Sequence, residues 1–354
     1  MFDSRDEAFG LNEAVDPPGL RYVSDENPGI RRKKAGKGFV YIGPGGKKIS
    51  EVSVLARLRA LAVPPAWTDV WICPAAGGHI QATGRDAKGR KQYCYHVSYR
   101  EMREGVKYER LLAFANVLPT IRAKVAEHIA LRGLPRLKVV ATVVHLLETT
   151  LIRIGNDDYA RQNKSYGLTT LKNRHVAIEG SEIRFRFIGK SGKQWSLKIR
   201  DRRIAKIIRA CQELPGQELL QYRDENGELR GVTSSDVNAY LGEVAGRDVT
   251  AKDFRTWAGT TLTARILREM EKFETAAEAK RNLRAAIASV SLRLGNTPTI
   301  CRKSYIHPEV LVAYLDGSFF VEVKSDLASM SPAAAEDLLP EETALLAMLR
   351  ARSK

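Results

Sequence analysis

The residues with the most chemistry to offer lie in stretch 291–307, which reads Ser-Leu-Arg-Leu-Gly-Asn-Thr-Pro-Thr-Ile-Cys-Arg-Lys-Ser-Tyr-Ile-His. A carboxamide, Asn296, precedes a phenol, Tyr305, in a segment broken by Gly295 and Pro298. Presented beside Arg302 and Lys303 in a strongly basic chain, that phenol is a candidate nucleophile for phosphodiesters. The alternative is an ordinary half-buried tyrosine near a helix end. Three distant cations are further candidates. Arg153 closes an apolar helical pattern in Leu151-Ile-Arg-Ile-Gly-Asn156, and Lys190 sits at the tip of a hairpin pattern. Arg255 lies in Lys252-Asp-Phe-Arg-Thr-Trp257, at the start of a helical pattern. Taken singly, an arginine at a helix end is a cap or a solvated charge, and a hairpin-tip lysine is simply wet.

The 354 residues suffice for two domains, and 44% hydrophobic with 28% charged residues describes a globular chain. Lys and Arg outnumber Asp and Glu by 57 to 41, a net charge of +16, which suits a polyanionic partner, most often nucleic acid. A merely soluble basic protein is the other reading. No apolar run approaches the roughly 20 residues of a membrane span, and the first residues are acidic and polar. A cytoplasmic protein, nucleoid-associated if it binds DNA, is expected. Cys73, Cys94, Cys211 and Cys301 are scattered, which argues against a disulfide framework and a Cys-x-x-Cys zinc site. Cys94, His96 and His79 lack the usual ligand spacings. No metal and no cofactor are expected.

The elements that must position these groups follow from local pattern. Residues 1–30 carry turn signals at Pro17-Pro18-Gly19 and Asn27-Pro28-Gly29 and look poorly structured. The basic run Arg31-Arg32-Lys33-Lys34 reads as solvated. Residues 39–42 and 47–50 read as a hairpin through Gly43-Pro44-Gly45-Gly46, residues 51–62 as a helix, and 70–73, 79–83 and 91–97 as short strands. Gln81, Arg85, Arg90 and Tyr93, on and around a Gly-rich loop, form a candidate surface for gripping a nucleic-acid backbone, or an ordinary charged hairpin. From Tyr99 the pattern turns helical: 99–132 with a break at Leu118-Pro119, then a strongly apolar helix over 137–154. A hairpin over 182–200 turns through 189–193, and helices are expected over 202–213, 234–245, 251–271 and 275–293. An Ala- and Glu-rich tail from Ser331 reads as surface helix. The fold class is therefore α+β: a small N-terminal mixed sheet and helix domain (1–98), then a larger, mainly helical domain (99–354) with a β-hairpin insertion. Gly189-Lys190-Ser191 has the ending of a phosphate-binding loop, but Arg184 stands where the first glycine belongs, so no nucleotide is implied.

In order and flanking residues, Arg153, Lys190, Arg255, Asn296 and Tyr305 resemble the active-site set of the type IB DNA topoisomerases, most closely the short poxvirus-like and bacterial forms. The resemblance runs from about Val23 to Phe320 and includes Tyr166-Gly-Leu-Thr-Thr-Leu-Lys-Asn-Arg-His175. Asn296 stands where the viral pattern often has histidine, which keeps a hydrogen-bond donor but not a charge. The resemblance implies relaxation of duplex DNA through a covalent 3′-phosphotyrosyl intermediate, by a monomer needing neither ATP nor metal. In that setting Tyr305 is the nucleophile, Arg153, Arg255 and Asn296 stabilise the phosphorane-like transition state, and Lys190 is the general acid. Lys252, with Gln81, Arg85, Arg90 and Tyr93, matches positions that approach DNA, and the two domains would close on the duplex as a clamp. Two rivals stand beside this reading. A tyrosine recombinase shares the Arg, Lys, Arg and Tyr logic, but its second arginine normally follows histidine in His-x-x-Arg, and here that place is Lys252-Asp-Phe-Arg255. The other is a non-catalytic DNA-binding protein.

Overall fold

An unbroken apolar run such as Val70-Trp71-Ile72-Cys73 needs cover on both faces of the sheet it joins. The computed structural model, which describes residues 19–87, 89–270, 272–320 and 338–352, meets that need in the first of two compact units, Met1–Tyr108. Strands β1 (Ile30–Ala35), β2 (Gly38–Ile42), β3 (Thr68–Ile72), β4 (Ile80–Arg85) and β5 (Lys91–Tyr95) form an antiparallel sheet of order β2-β1-β3-β4-β5. Val70 and Ile72 pack with Ile30, Ala82 and Leu58 of helix α1 (Val52–Ala60). Trp71 and Cys73 face the other way, toward Ile80, Val23, Tyr93 and Tyr95.

Two expectations for this unit are corrected. The partner of β2 is β1, and stretch 47–50 contributes only a bridge between Ile42 and Lys48. The run 31–34 is thus part of a strand; Arg31, Lys33 and Lys34 are exposed as expected, and only Arg32 is half-buried and serves the fold. Its guanidinium donates to the carbonyls of Val63, Pro64 and Trp67 and lies 4.2 Å over the Phe39 ring. The N-terminal stretch expected to be irregular lies outside the described residues up to Pro18. Beyond it, Asn27 accepts a hydrogen bond from the Trp71 indole.

Helix α2 (Val97–Ile129) runs unbroken through Pro119, where a break was expected. Burial of the Leu118 and Pro119 side chains in a long helix outweighs the roughly 3 kcal/mol cost of an interior proline. The second unit, Glu109–Lys354, is built around α3 (Arg136–Thr150), whose Val139, Val140, Val143, Val144, Leu146 and Leu147 are all buried. After α4 (Asp157–Asn163) comes a three-stranded sheet, β6 (Val176–Glu179), β7 (Glu182–Ile188) and β8 (Gln194–Arg200), one strand more than the expected hairpin. Ile183, Phe185 and Phe187 bury one face of β7 while Arg184 and Arg186 stay outside. There follow α5 (Arg202–Gln212), the short pair β9 (Gln221–Arg223) and β10 (Leu229–Gly231), then α6 (Ser234–Ala245), α7 (Ala251–Glu269), α8 (Ala276–Leu294), α9 (Pro298–Tyr305) and α10 (Pro308–Leu315). The α+β architecture is the one expected. Among the described residues no helix is long and apolar enough to cross a membrane.

The C-terminal tail is no surface helix where it is described. Helix α11 (Pro340–Arg352) buries Leu345, Leu346 and Leu349 in the core of the second unit. Glu342, 4% exposed, accepts bonds from both Nη atoms of Arg122, from the Trp257 indole and from the Leu339 N–H. Burial pushes its carboxyl up, but Arg122, the Leu339 N–H and Trp257 together hold it below its ordinary value. Replacing Glu342 by Gln removes the more buried of the two carboxylates that pair with Arg122, leaving Glu148 at 2.7 Å. The expected cost is about 3 kcal/mol, a fall in Tm of about 6–12 °C by calorimetry.

Candidate active site

The site is assembled on the C-terminal end of α8. Gly295 takes the left-handed cap conformation (φ 64°), which stops the helix and leaves its last carbonyls facing outward. Two guanidiniums meet consecutive carbonyls there: Arg255 Nη2 donates to Leu294 O at 2.5 Å, and Arg153 Nη1 to Gly295 O at 3.2 Å. Arg255 Nη1 also donates to the Leu151 carbonyl at the C-terminal end of α3. Helix C-termini carry partial negative charge, so two of them stabilise a cation that is only 3% exposed. Burial still pushes the Arg255 guanidinium down, to about 10, with the Tyr305 phenol opposing and Arg153 adding to the fall; it remains charged at neutral pH.

Arg153 does not end a helix as expected. Leu151 adopts the left-handed conformation (φ 58°) and terminates α3, so Arg153 follows in an irregular segment. That segment is fixed by Leu168 N–H donating to Arg153 O and Thr169 N–H to Ile154 O.

Tyr305 is the last residue of α9, whose start is set by Thr297 capping Ile300 N–H and by Pro298 in the first turn. The phenol ring lies 5.2 Å from the Arg255 guanidinium carbon. Burial raises the phenol, yet Arg255, Arg153 and Lys252 overbalance it and hold Tyr305 below its ordinary value. Asn296, between α8 and α9, has both side-chain polar atoms buried with no hydrogen-bond partner, and Arg255 Nε is in the same condition. Two of these atoms, Asn296 Nδ2 and Arg255 Nε, are donors available to the oxygens of an anion, while Asn296 Oδ1 can only accept.

Helix α7 presents one ridge to this assembly: Lys252, Arg255, Gly259 and Thr260 recur at helical spacing. Gly259 admits the backbone of Tyr305, since a β-carbon there would lie 3.1 Å from Tyr305 Cβ and closer still to its carbonyl oxygen. Thr260 Oγ1 donates to Thr256 O and accepts from His307 N–H. Neither residue was singled out in sequence; a glycine amid a helical pattern was the only available signal.

Lys190 stands at the exposed tip between β7 and β8, with Nζ 5.9 Å from the Tyr159 ring centroid. The base of that tip reaches the site through Trp195, whose indole packs against both Gly189 and Gly295. Arg153, Arg255, Asn296 and Tyr305 are thus gathered, and Lys190 is tied to them through its hairpin.

The remaining candidates behave differently. Lys252 is exposed in the first turn of α7, near enough to act on the phenol. In the first unit, Gln81 is 5% exposed and its amide donates inward to Ala76 O and Gly78 O. Arg85 donates to Gly89 O, and Arg90 pairs with Asp86 at 2.6 Å, both on the outside of the β4–β5 turn. Tyr93 stacks on Tyr95 with centroids 5.8 Å apart. His79 accepts from Val23 N–H and His96 from Ser98 N–H. Among the described residues no group of three or more His, Cys, Asp or Glu is placed to hold a metal.

Comparison with known proteins identifies the family. The profile of the eukaryotic DNA topoisomerase I catalytic core matches residues 96–321, and that of the bacterial DNA topoisomerase IB N-terminal domain matches 38–86. DNA topoisomerase 1B of Acanthamoeba polyphaga mimivirus is 31% identical over 306 residues, covering 84% of this chain and 91% of the viral one. DNA topoisomerase 1B of vaccinia virus is 23% identical, covering 74% of this chain and 82% of its own. With one catalytic-core profile spanning most of the second unit and a full-length relative above 30% identity, this chain belongs to the type IB DNA topoisomerases.

Proposed function

We propose that this enzyme relaxes supercoiled duplex DNA by transient cleavage of one strand through a 3′-phosphotyrosyl bond at Tyr305. The observation that carries the reading is the meeting of Arg153 and Arg255 on adjacent carbonyls beside a phenol held below its ordinary value. Tyr305 Oη, its proton lost to solvent, bonds to the scissile phosphorus as the P–O5′ bond breaks. The five-coordinate transition state gathers charge on its non-bridging oxygens. Arg153 and Arg255 supply permanently charged forks to them, and Asn296 a neutral donor. The departing 5′ oxygen belongs to an alcohol about as weakly acidic as water and leaves as the alcohol when Lys190 gives it a proton. An aryl phosphodiester is the more labile, since a phenol has pKa about 10. Resealing by the 5′-OH therefore needs no nucleotide, and the protein groups supply the charge that a metal would. Lys252, Arg85, Arg90 and Tyr93 are assigned to DNA contact. Gln81, expected among them, is not, because it is buried with its amide spent on Ala76 O, Gly78 O and Arg57. The protein acts as a monomer.

The test is a duplex whose cleavage releases a short 5′ fragment, so that religation fails. A covalent protein–DNA species surviving denaturation, with the DNA on the peptide containing Tyr305, is the expected product. Relaxation of positively and negatively supercoiled plasmid in EDTA without ATP should accompany it. Strand exchange at a defined site without free relaxation would transfer the site to a recombinase.

The low phenol has a kinetic consequence. The pH dependence of the second-order cleavage rate reports the free enzyme. Its rising limb should lie below the ordinary phenol value of about 10. Removing a neighbouring cation raises the pKa of an acid, so Arg153→Ala should move that limb to higher pH.

A further inference from the structure

The tip bearing Lys190 is closed by Gly192 N–H donating to Gly189 O, with Lys190 Nζ 5.9 Å from the Tyr159 ring. β7 and β8 pair in register up to Ile188 and Gln194, and Gly189 N–H donates to Lys193 O. Beyond that the chain turns through Ser191 (φ 63°) and Gly192 (φ 76°), and Lys190 is exposed. Trp195 ties this tip to the cap of α8. Trp195 stands opposite Phe187 with their rings stacked, 5.9 Å apart and 3° from parallel. Its indole then fills the space between two glycines. A β-carbon on Gly189 would lie 2.7 Å from Nε1, and one on Gly295 would lie 2.5 Å from Cζ2. Gly189 immediately precedes Lys190, and Gly295 immediately precedes Asn296. One indole therefore lies in close contact with the residue before the ammonium and with the residue before the carboxamide.

We infer that Trp195 is a positioning residue for proton donation: it spaces the Lys190 hairpin from the α8 cap so that Nζ reaches the departing 5′ oxygen. This rests on Lys190 being the acid, as proposed above. A flexible lysine on a tip with no such wedge samples many positions, and general-acid catalysis is lost when the donor is outside hydrogen-bond reach of the leaving atom. The aromatic filler acts through Lys190, not on the DNA.

The experiment compares two trapping duplexes, one with the ordinary 5′ bridging oxygen at the scissile phosphate and one with 5′ bridging sulfur. A thiol, ordinarily near pKa 8.5, leaves without a proton donor. Trp195→Ala should slow single-turnover cleavage of the oxygen duplex at least about tenfold, yet cut the sulfur duplex at close to the wild-type rate. Trp195→Phe should restore much of the oxygen rate. Lys190→Ala is the control, losing roughly 10²–10⁴-fold on oxygen and recovering on sulfur. Failure of Lys190→Ala to recover overturns the acid assignment itself. Recovery of Lys190→Ala with Trp195→Ala equally slow on both duplexes, or with Trp195→Ala at wild-type rate on oxygen, overturns the role given to the indole. Should Trp195→Ala not fold, Trp195→Leu is put through the same comparison with the same outcomes.

Discussion

Tyr305→Phe is expected to abolish the covalent adduct and to lower plasmid relaxation by roughly 10⁴-fold or more. The change removes one oxygen and keeps the ring, which packs against the core of the second unit. Stability should therefore move by less than about 1 kcal/mol. The groups assigned to phosphate and DNA contact are untouched, so affinity for duplex should stay within about twofold. Loss of chemistry with binding and fold retained separates a nucleophile from a tyrosine that merely fills space. A Tyr305→Phe protein that still relaxes plasmid would place the attacking group elsewhere, and a protein with no activity in either form would favour a non-catalytic DNA binder. Removing the phenol also removes the main partner that opposes the lowering of Arg255, leaving Cys301 against burial and Arg153.

How much of this was legible in sequence varied with the physics of each element. Helix α6 was read to the residue because its ends are written locally: Thr233 and Asp236 form a capping box, and Gly246 takes the left-handed stop. The end of α3 was misread because Leu151, an apolar residue with no stop signal, takes that same conformation; the bonds that hold it come from Arg255, far along the chain. The strand containing Arg32 was hidden by its charge, since the carbonyls that satisfy it lie on a loop no local pattern joins to it. The buried face of α11 was masked in the same way by Glu342, whose partner Arg122 lies on α2. For the active site, residue types and order were legible through the family resemblance. Their convergence on one helix cap was not, because that depends on contacts between segments 39 and 142 residues apart. The two features that set its dimensions, the Gly259 contact and the Trp195 wedge, are matters of space, which a sequence records only as an unremarked glycine or tryptophan.

Gly259→Ala puts that spatial argument to a quantitative test. An added β-carbon would press on the carbonyl oxygen and Cβ of Tyr305 and on Leu294 Cδ1, 3.2 Å away. Two of these neighbours belong to backbone or its first carbon and cannot swing aside, so α9 must move off α7. Overpacking of this kind costs about 1–3 kcal/mol, while replacing a mid-helix glycine by alanine returns about 1 kcal/mol. Net stability is then expected to fall by at most about 2 kcal/mol. The chemistry is less forgiving: displacement of a nucleophile by about 1 Å costs on the order of 10²-fold in rate. Single-turnover cleavage should drop by about that factor with duplex affinity nearly unchanged. Gly242→Ala in α6 is the matched control, because its β-carbon meets nothing nearer than Arg247 O at 3.7 Å; it should gain stability and cleave normally. If Gly259→Ala loses stability and rate only in the proportion that partial unfolding would give, the close approach of α7 and α9 is packing alone. A hundredfold slower enzyme that melts close to the wild-type temperature would show that the glycine exists to hold the phenol against Arg255.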